Sequence, residues 1–319
     1  MEPIDFFQLF RTHNKDVKDS SLRTYYYSAK KLHGIFKIPF PSTDLEWVSN
    51  ENYELLLNET EDIVRRVMPV FMVLLKITGN TELHNKSIQE YRKIRTLFEE
   101  ENRGKKSLKE EANWLNSEEM KDLIAQVNKR MGGIGKLWTK TDLSKDEHNL
   151  LLFYTLLHLV YYCAPLRAEY DSLEILTSAE FHLVPIRDRQ LRNFLVHNGR
   201  AFTVYLYNHK NSRLKGVYRQ QYPPRVTRLF NKLLPKLKTR EGAIHLFQKR
   251  DGSKFTRQGL SRFIKRMFHN FTGKKPSFSC LRKMYVSSNL GSRASQDKRP
   301  ILAALLGHSE SVQEVTYWK

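Results

Sequence analysis

Leu306-Gly-His308-Ser-Glu-Ser-Val-Gln-Glu-Val-Thr-Tyr317-Trp-Lys319 places an imidazole at position 308 and a phenol nine residues later. Taken alone, Tyr317 reads as an amphipathic packing residue and His308 as a side chain that caps or packs its helix. Three stretches further up the chain bear on that reading. Ser279-Cys-Leu-Arg282 opens a helical pattern that runs to Leu290, and Pro165-Leu-Arg167-Ala-Glu169-Tyr170 follows a long apolar segment. Between them, Phe202–Tyr207 and Val217–Tyr222 are rich in β-formers. The polar run His209–Gly216 separates them, which reads as a hairpin with a basic tip carrying Lys210 and Lys215. The order along the chain is therefore guanidinium, hairpin ammonium, guanidinium, imidazole, phenol.

Around these stretches the pattern is mainly helical. A long helix is expected from about Asp146 to Cys163, and its apolar stretch, Leu150 to Cys163, is too short and too interrupted, by Thr155 and His158, for a membrane span of about 20 residues; Pro165 ends it. Leu115-Asn-Ser-Glu-Glu-Met120 is a helix-start signature. After Pro223-Pro224, helices are expected over about 225–238, 256–270, 280–291, 298–306 and 311–318. In the first hundred residues, Ser20 and Ser21 read as N-caps of a helix with Tyr25 to Tyr27 and basic residues. Ile63–Leu75 and about Ser87–Glu101 supply two more helices. The charged run Glu100–Glu111 around Gly104 looks like a linker or a solvated helix end. A chain of 319 residues suits two domains, so the expected division is a helical domain over 1–105 and a mainly α domain with a small β-sheet over 106–319.

Charge narrows the function classes. Lys and Arg total 54 against 34 acidic residues, a net charge of +20. Such an excess repels itself and calls for a polyanionic partner, with nucleic acid before a membrane surface. The N-terminus lacks the pattern of a secretory signal, and Cys163 and Cys280 are expected to be reduced packing residues. An intracellular location at DNA is expected, in a nucleus or viral replication site or in a prokaryotic cytoplasm. Met131-Gly-Gly-Ile-Gly-Lys136-Leu fails as a phosphate-binding loop, because position 130 is Arg and position 137 is Leu. No Cys/His spacing suggests a zinc site, and His158 on its apolar helix reads as a core residue. The Asn58, Asn85 and Asn270 glycosylation patterns are read as chance matches. No metal or cofactor is expected.

With these motifs in view, the chain resembles the tyrosine recombinases of the phage-integrase type. In that family a Leu-Gly-His precedes the nucleophilic tyrosine at this spacing. Ser279-Cys-Leu-Arg282 resembles its second box and Pro165-Leu-Arg167 its first arginine box, and Lys210 lies where the family places a catalytic lysine. Leu246-Phe247, Asp251-Gly252 and the following helix also recur before the second box. The resemblance covers about residues 108–319 and implies a helical DNA-binding domain ahead of a catalytic domain. Three departures stand out. Ser279 replaces the usual His or Lys. The acid after Arg167 comes at the second position, not the third, and is followed by Tyr170; this variant suggests a eukaryotic virus or mobile element. Only two residues follow Tyr317, so the tail that docks on a neighbouring subunit in many relatives is missing or cut short.

The resemblance implies metal-free cleavage in which Tyr317 attacks phosphorus and keeps the DNA 3′ end as a phosphotyrosyl link. Arg167 and Arg282 would face the charge of the pentavalent transition state as permanently charged forks. His308 would add a hydrogen bond. Lys210, with Lys215 as the alternative, would protonate the leaving 5′-oxygen. Ser279 could donate to a phosphate oxygen but not act as a base. For each residue a plainer role is also open: a surface ion pair of Arg167 with Glu169, or a solvated turn lysine. Phosphate contacts are expected from Arg225, Arg228, Lys232, Lys236, Lys238, Arg262, Lys265, Arg266, Lys274 and Lys275. Arg23, Lys30 and Lys31 with Tyr25 to Tyr27 would form a groove-entering helix. The expected partners are double-stranded DNA and a second copy or more, as a dimer or tetramer on DNA, with no membrane. A type IB topoisomerase shares the same side chains, and an inactive DNA-binding or genome-packaging protein of this fold is the alternative outside enzymes. An RNA-binding protein would rest on charge alone.

Overall fold

The computed structural model describes residues 2–14, 17, 19–167, 169–290, 300, 303 and 306, and the chain divides into two compact units, Met1–Asn102 and Arg103–Lys319. No helix among the described residues is long and apolar enough to cross a membrane.

The first unit is all helix: α1 (Phe6–His13), α2 (Asp19–Phe36), α3 (Asn50–Leu57), α4 (Glu61–Ile77) and α5 (Thr81–Glu101). Asp5 caps α1 by accepting from Phe7 N and Gln8 N, and Asn80 caps α5 by accepting from Leu83 N at 3.1 Å. α2 begins at Asp19, so residues 20 and 21 lie inside its first turn and are not the caps expected from their hydroxyls. The apolar faces close over His33, which is fully buried, with Nδ1 2.8 Å from Ala29 O and Nε2 3.1 Å from Ser42 Oγ. Phe6, Phe40 and Trp47 surround its ring. Tyr25 packs edge-on to Phe10 and Tyr26 stacks on Phe7, so two of the three tyrosines expected at a groove belong to packing. Tyr27 remains 67% exposed, and Arg23, Lys30 and Lys31 are exposed with it at helical spacing on one face.

The charge run opens as the solvated end of α5 at Glu101, one of its two expected readings. Ser107 and Glu110 form a capping box that starts the short α6 (Leu108–Glu111), so part of the charge run is a folded turn. Then follow α7 (Ser117–Arg130), which starts within the expected N-cap signature through a capping box of Asn116 and Glu119, α8 (Gly133–Thr139) and α9 (Lys145–Tyr162). α9 is buried on nearly all sides from His148 to Val160, as an all-round apolar helix must be, and packs against α7 and two later helices. His158 is buried, with Nδ1 3.0 Å from Tyr154 O, as expected of a core histidine. Cys163 and Cys280 are free and buried.

After a 3-10 turn, Glu169–Ser172, the chain forms β1 (Leu173–Thr177), α10 (Ser178–Leu183), α11 (Ile186–Arg189), β2 (Asn193–His197), β3 (Phe202–Leu206), α12 (Ser212–Lys215) and β4 (Tyr218–Gln221). The sheet runs β1-β2-β3-β4, parallel between β1 and β2 and antiparallel thereafter. Only the β3–β4 pair was expected, and its tip contains the helical turn α12. α13 (Pro224–Leu233) ends in a 3-10 turn at Pro235, short of position 238. α14 (Arg257–Thr272) and α15 (Phe278–Leu290) complete the regular elements. Residues 300, 303 and 306 are helical, with Ala303 and Leu306 buried; the helix expected over 311–318 lies outside the described residues.

Candidate active site

Arg282 is the centre of the arrangement. It sits one turn into α15, whose start is capped by Ser277: Oγ accepts from Cys280 N at 3.2 Å. Leu281 and Met284 bury the same helix in the core, and Arg282 is itself only 3% exposed. A charge so buried needs fixed partners. Its Nη1 donates to Pro165 O, and its Nη2 donates to Leu306 O at 2.7 Å. Pro165 lies two residues before Arg167 and Leu306 two before His308. One guanidinium therefore brings together the backbones of all three motif stretches, which are far apart along the chain.

Arg167 is half-buried at the end of the loop that leaves α9. Glu169 is turned inward, 5% exposed, and its Oε2 has no hydrogen-bond partner among the described residues. It is therefore not the solvent-facing partner of an Arg167 surface ion pair. Tyr170 and Tyr218 lie within electrostatic reach of Arg282. Burial pushes both phenols far above their ordinary value, so they stay neutral and leave the guanidinium charge intact. Burial likewise raises the Tyr285 phenol and the Cys163 thiol to about 12, so neither is a nucleophile at neutral pH.

Lys210 is exposed at the β3–β4 tip. The tip is ordered by its neighbour His209, whose Nδ1 accepts from Asn211 N at 3.3 Å while Nε2 bonds to Gly216 O at 2.9 Å. That pair of contacts requires the neutral tautomer with the proton on Nε2. Lys215, the alternative ammonium, is also exposed, at the end of α12. Ser279 is exposed in the first turn of α15. His308 and Tyr317 lie outside the described residues.

Among the basic residues expected at phosphates, Arg225, Arg228, Arg262 and Arg266 are exposed and Lys265 half-buried. Arg225 also lies 4.4 Å over the Tyr162 ring. The ammonium of Lys274, just after α14, donates to Trp114 O and to Glu119 of α7. Lys236 donates to Lys140 O. A cleft of about 640 Å³ between α7, α8, α9 and α14 is lined by Arg266, Arg130, Lys136 and Lys145, away from Arg282. No group of three or more His, Cys, Asp or Glu side chains among the described residues could hold a metal ion. Sequence reasoning overlooked Tyr170, Tyr218 and His209. For Tyr170 a signal existed: it is the third residue after Arg167, where the resemblance leads one to expect an acid.

No family model matches the sequence, and no curated protein matches it. Solved structures do. The Tn1549 transposon integrase, solved in complex with transposon right end DNA, matches over 98% of this chain and 93% of that chain, at 12% identity and a TM-score of 0.52. The XerA recombinase matches over 93% of each chain, at 12% identity and a TM-score of 0.41. From the integrase likeness, the mostly helical chain with its small mixed sheet has the tyrosine recombinase fold.

Proposed function

We propose that this chain is a site-specific DNA recombinase or integrase that cleaves and rejoins double-stranded DNA through a 3′-phosphotyrosyl intermediate. The observation that carries the reading is the Arg282 fork bonded to Pro165 O and Leu306 O on a recombinase fold. It supports a single site built from Arg167, Arg282, His308 and the terminal phenol. Tyr317 is the nucleophile. Arg167 and Arg282 supply fixed positive charge to the transition state. His308 and Ser279 donate to phosphate oxygens. Lys210, on a hairpin tip braced by His209, protonates the leaving oxygen. The residues 1–105 bind DNA through the Arg23, Tyr27, Lys30, Lys31 face, and the residues 106–319 carry out the chemistry. Two or four copies assemble on DNA, and the task suited to this chemistry is insertion or removal of a viral or mobile genome.

The test is to incubate the protein with DNA of its source element and sequence the tyrosine-linked ends. A nicked double-stranded substrate carrying the recovered site should then trap a covalent adduct. Tyr317→Phe should abolish the adduct and leave DNA binding nearly intact. An adduct that persists in this variant would remove the nucleophile assignment, and no adduct from the unmodified protein would leave only a DNA-binding protein of this fold.

A further inference from the structure

The loop from Cys163 to Arg167 has no regular secondary structure, yet it must hold a half-exposed guanidinium in place. Among the described residues, two hydrogen bonds anchor it beyond Cys163. Pro165 O accepts from Arg282. The next residue, Leu166, is 4% exposed, and its N–H donates to the phenol oxygen of Tyr170 at 3.2 Å. A buried N–H without an acceptor costs roughly 1–3 kcal/mol, so this bond selects the loop conformation.

Tyr170 is well suited to be a fixed point. It lies in the 3-10 turn that precedes β1 and is 1% exposed. Its ring stands edge-on to Phe247, with centroids 5.6 Å apart, and is stacked on Phe278 at 5.8 Å. Phe278 opens α15, the helix of Arg282. The phenol oxygen is thus located with respect to both the sheet and the helix.

We infer that Tyr170 is a positioning residue: its hydroxyl oxygen pegs the Leu166 amide and so aims Arg167, the next residue, at the phosphate. The inference rests on the recombinase reading of the site. It also accounts for a departure in the sequence. At the third position after Arg167 a phenol supplies an acceptor oxygen without a negative charge. Nothing at that position then neutralises the guanidinium that must meet a phosphate.

Tyr170→Phe removes one oxygen and keeps the ring, so the packing against Phe247 and Phe278 survives. On the nicked double-stranded substrate, the initial rate of covalent adduct formation should fall about tenfold, with DNA affinity kept within about twofold. In an Arg167→Ala background the same substitution should leave the residual rate unchanged, because the group it aims is gone. Equal fold losses in the two backgrounds would mean a merely structural role and overturn the inference, as would a wild-type rate in Tyr170→Phe. A readout independent of catalysis is hydrogen exchange at the Leu166 amide, which should quicken at least about tenfold in the variant. Unchanged exchange overturns the peg whatever the activity. If the unmodified protein forms no adduct, the functional reading fails on its own terms, and the exchange rate alone decides the peg.

Discussion

At the scale of single residues, Arg282 illustrates why a guanidinium and not an ammonium stands at this position. A planar fork donates to the Pro165 and Leu306 carbonyls from two separate nitrogens in fixed directions, whereas a lysine has one nitrogen to serve both. Arg282→Lys keeps the charge but should leave one buried carbonyl unpaired, at a cost of about 1–3 kcal/mol. For a domain of this size each kcal/mol corresponds to roughly 2–4 °C of melting temperature. A thermal melt should show that drop together with a loss of adduct; an unchanged melt would mean that the two carbonyls do not depend on the fork. Ser279 offers no comparable role in the structure beyond its place in the exposed first turn of α15.

At the scale of elements, two short pieces act on the site through longer ones. The turn α6 is held to α15 by the ion pair of Glu110 with Lys283, whose side chains are 20% and 15% exposed. Desolvation raises the Glu110 carboxyl, but the hydrogen bonds from Lys283 and Ser107 outweigh it, and the net direction is downward. A carboxyl held below its unfolded value contributes stability at neutral pH, and that contribution is lost as the pH falls from about 4.3 through the lower folded value. Lys283→Met should therefore destabilise by about 1.5–3 kcal/mol at pH 7, and by less at pH 3.5, as read from denaturant unfolding. An equal loss at both pH values would mean that the charge plays no part. The β3–β4 tip is the second piece. His209→Ala removes the bridge between Asn211 N and Gly216 O. It should slow adduct formation by loosening Lys210 while leaving DNA affinity close to wild type. A rate equal to wild type would show that the tip needs no internal brace.

At the scale of the molecule, charge and buried imidazoles set the response to solution conditions. With a net charge of +20, DNA affinity should fall steeply with salt. If Arg225 contacts a phosphate, Arg225→Ala should reduce the slope of log affinity against log salt by about one unit. An unchanged slope would assign this arginine to its stacking on Tyr162. His33, His148, His158 and His245 are all held below the ordinary imidazole value, in each case by burial first. As the pH falls below about 6.5 the unfolded chain takes up protons that the folded chain refuses, so stability must decline. Melting temperatures should drop between pH 7.5 and pH 5.5 in both units, since His33 belongs to the first unit and the other three to the second. A flat profile would show that the four rings are not buried in solution.

Much of the architecture was legible in the sequence because it depends on local spacing. The apolar run of α9, the capping residues of α7, and the β-formers on either side of His209–Gly216 announce their elements within a few residues. So does the order Arg167, Lys210, Arg282, His308, Tyr317 as a list of chemistry-bearing groups. The strands β1 and β2 were not legible. Three residues of β1 and four of β2 are buried in succession, so no alternation marks them, and Glu174 interrupts the first. Glu174 is tolerated there because Arg192 pairs with it across the sheet. Only tertiary structure could decide which groups meet. The Arg282 contacts span 117 residues to Pro165 and 24 to Leu306, and the Tyr170 ring lies between Phe247 and Phe278. Sequence determines which side chains are available and in what local conformation. Which of them share one low-dielectric site depends on long-range packing, and that packing turned a tyrosine of no evident purpose into the acceptor for the Leu166 amide beside Arg167.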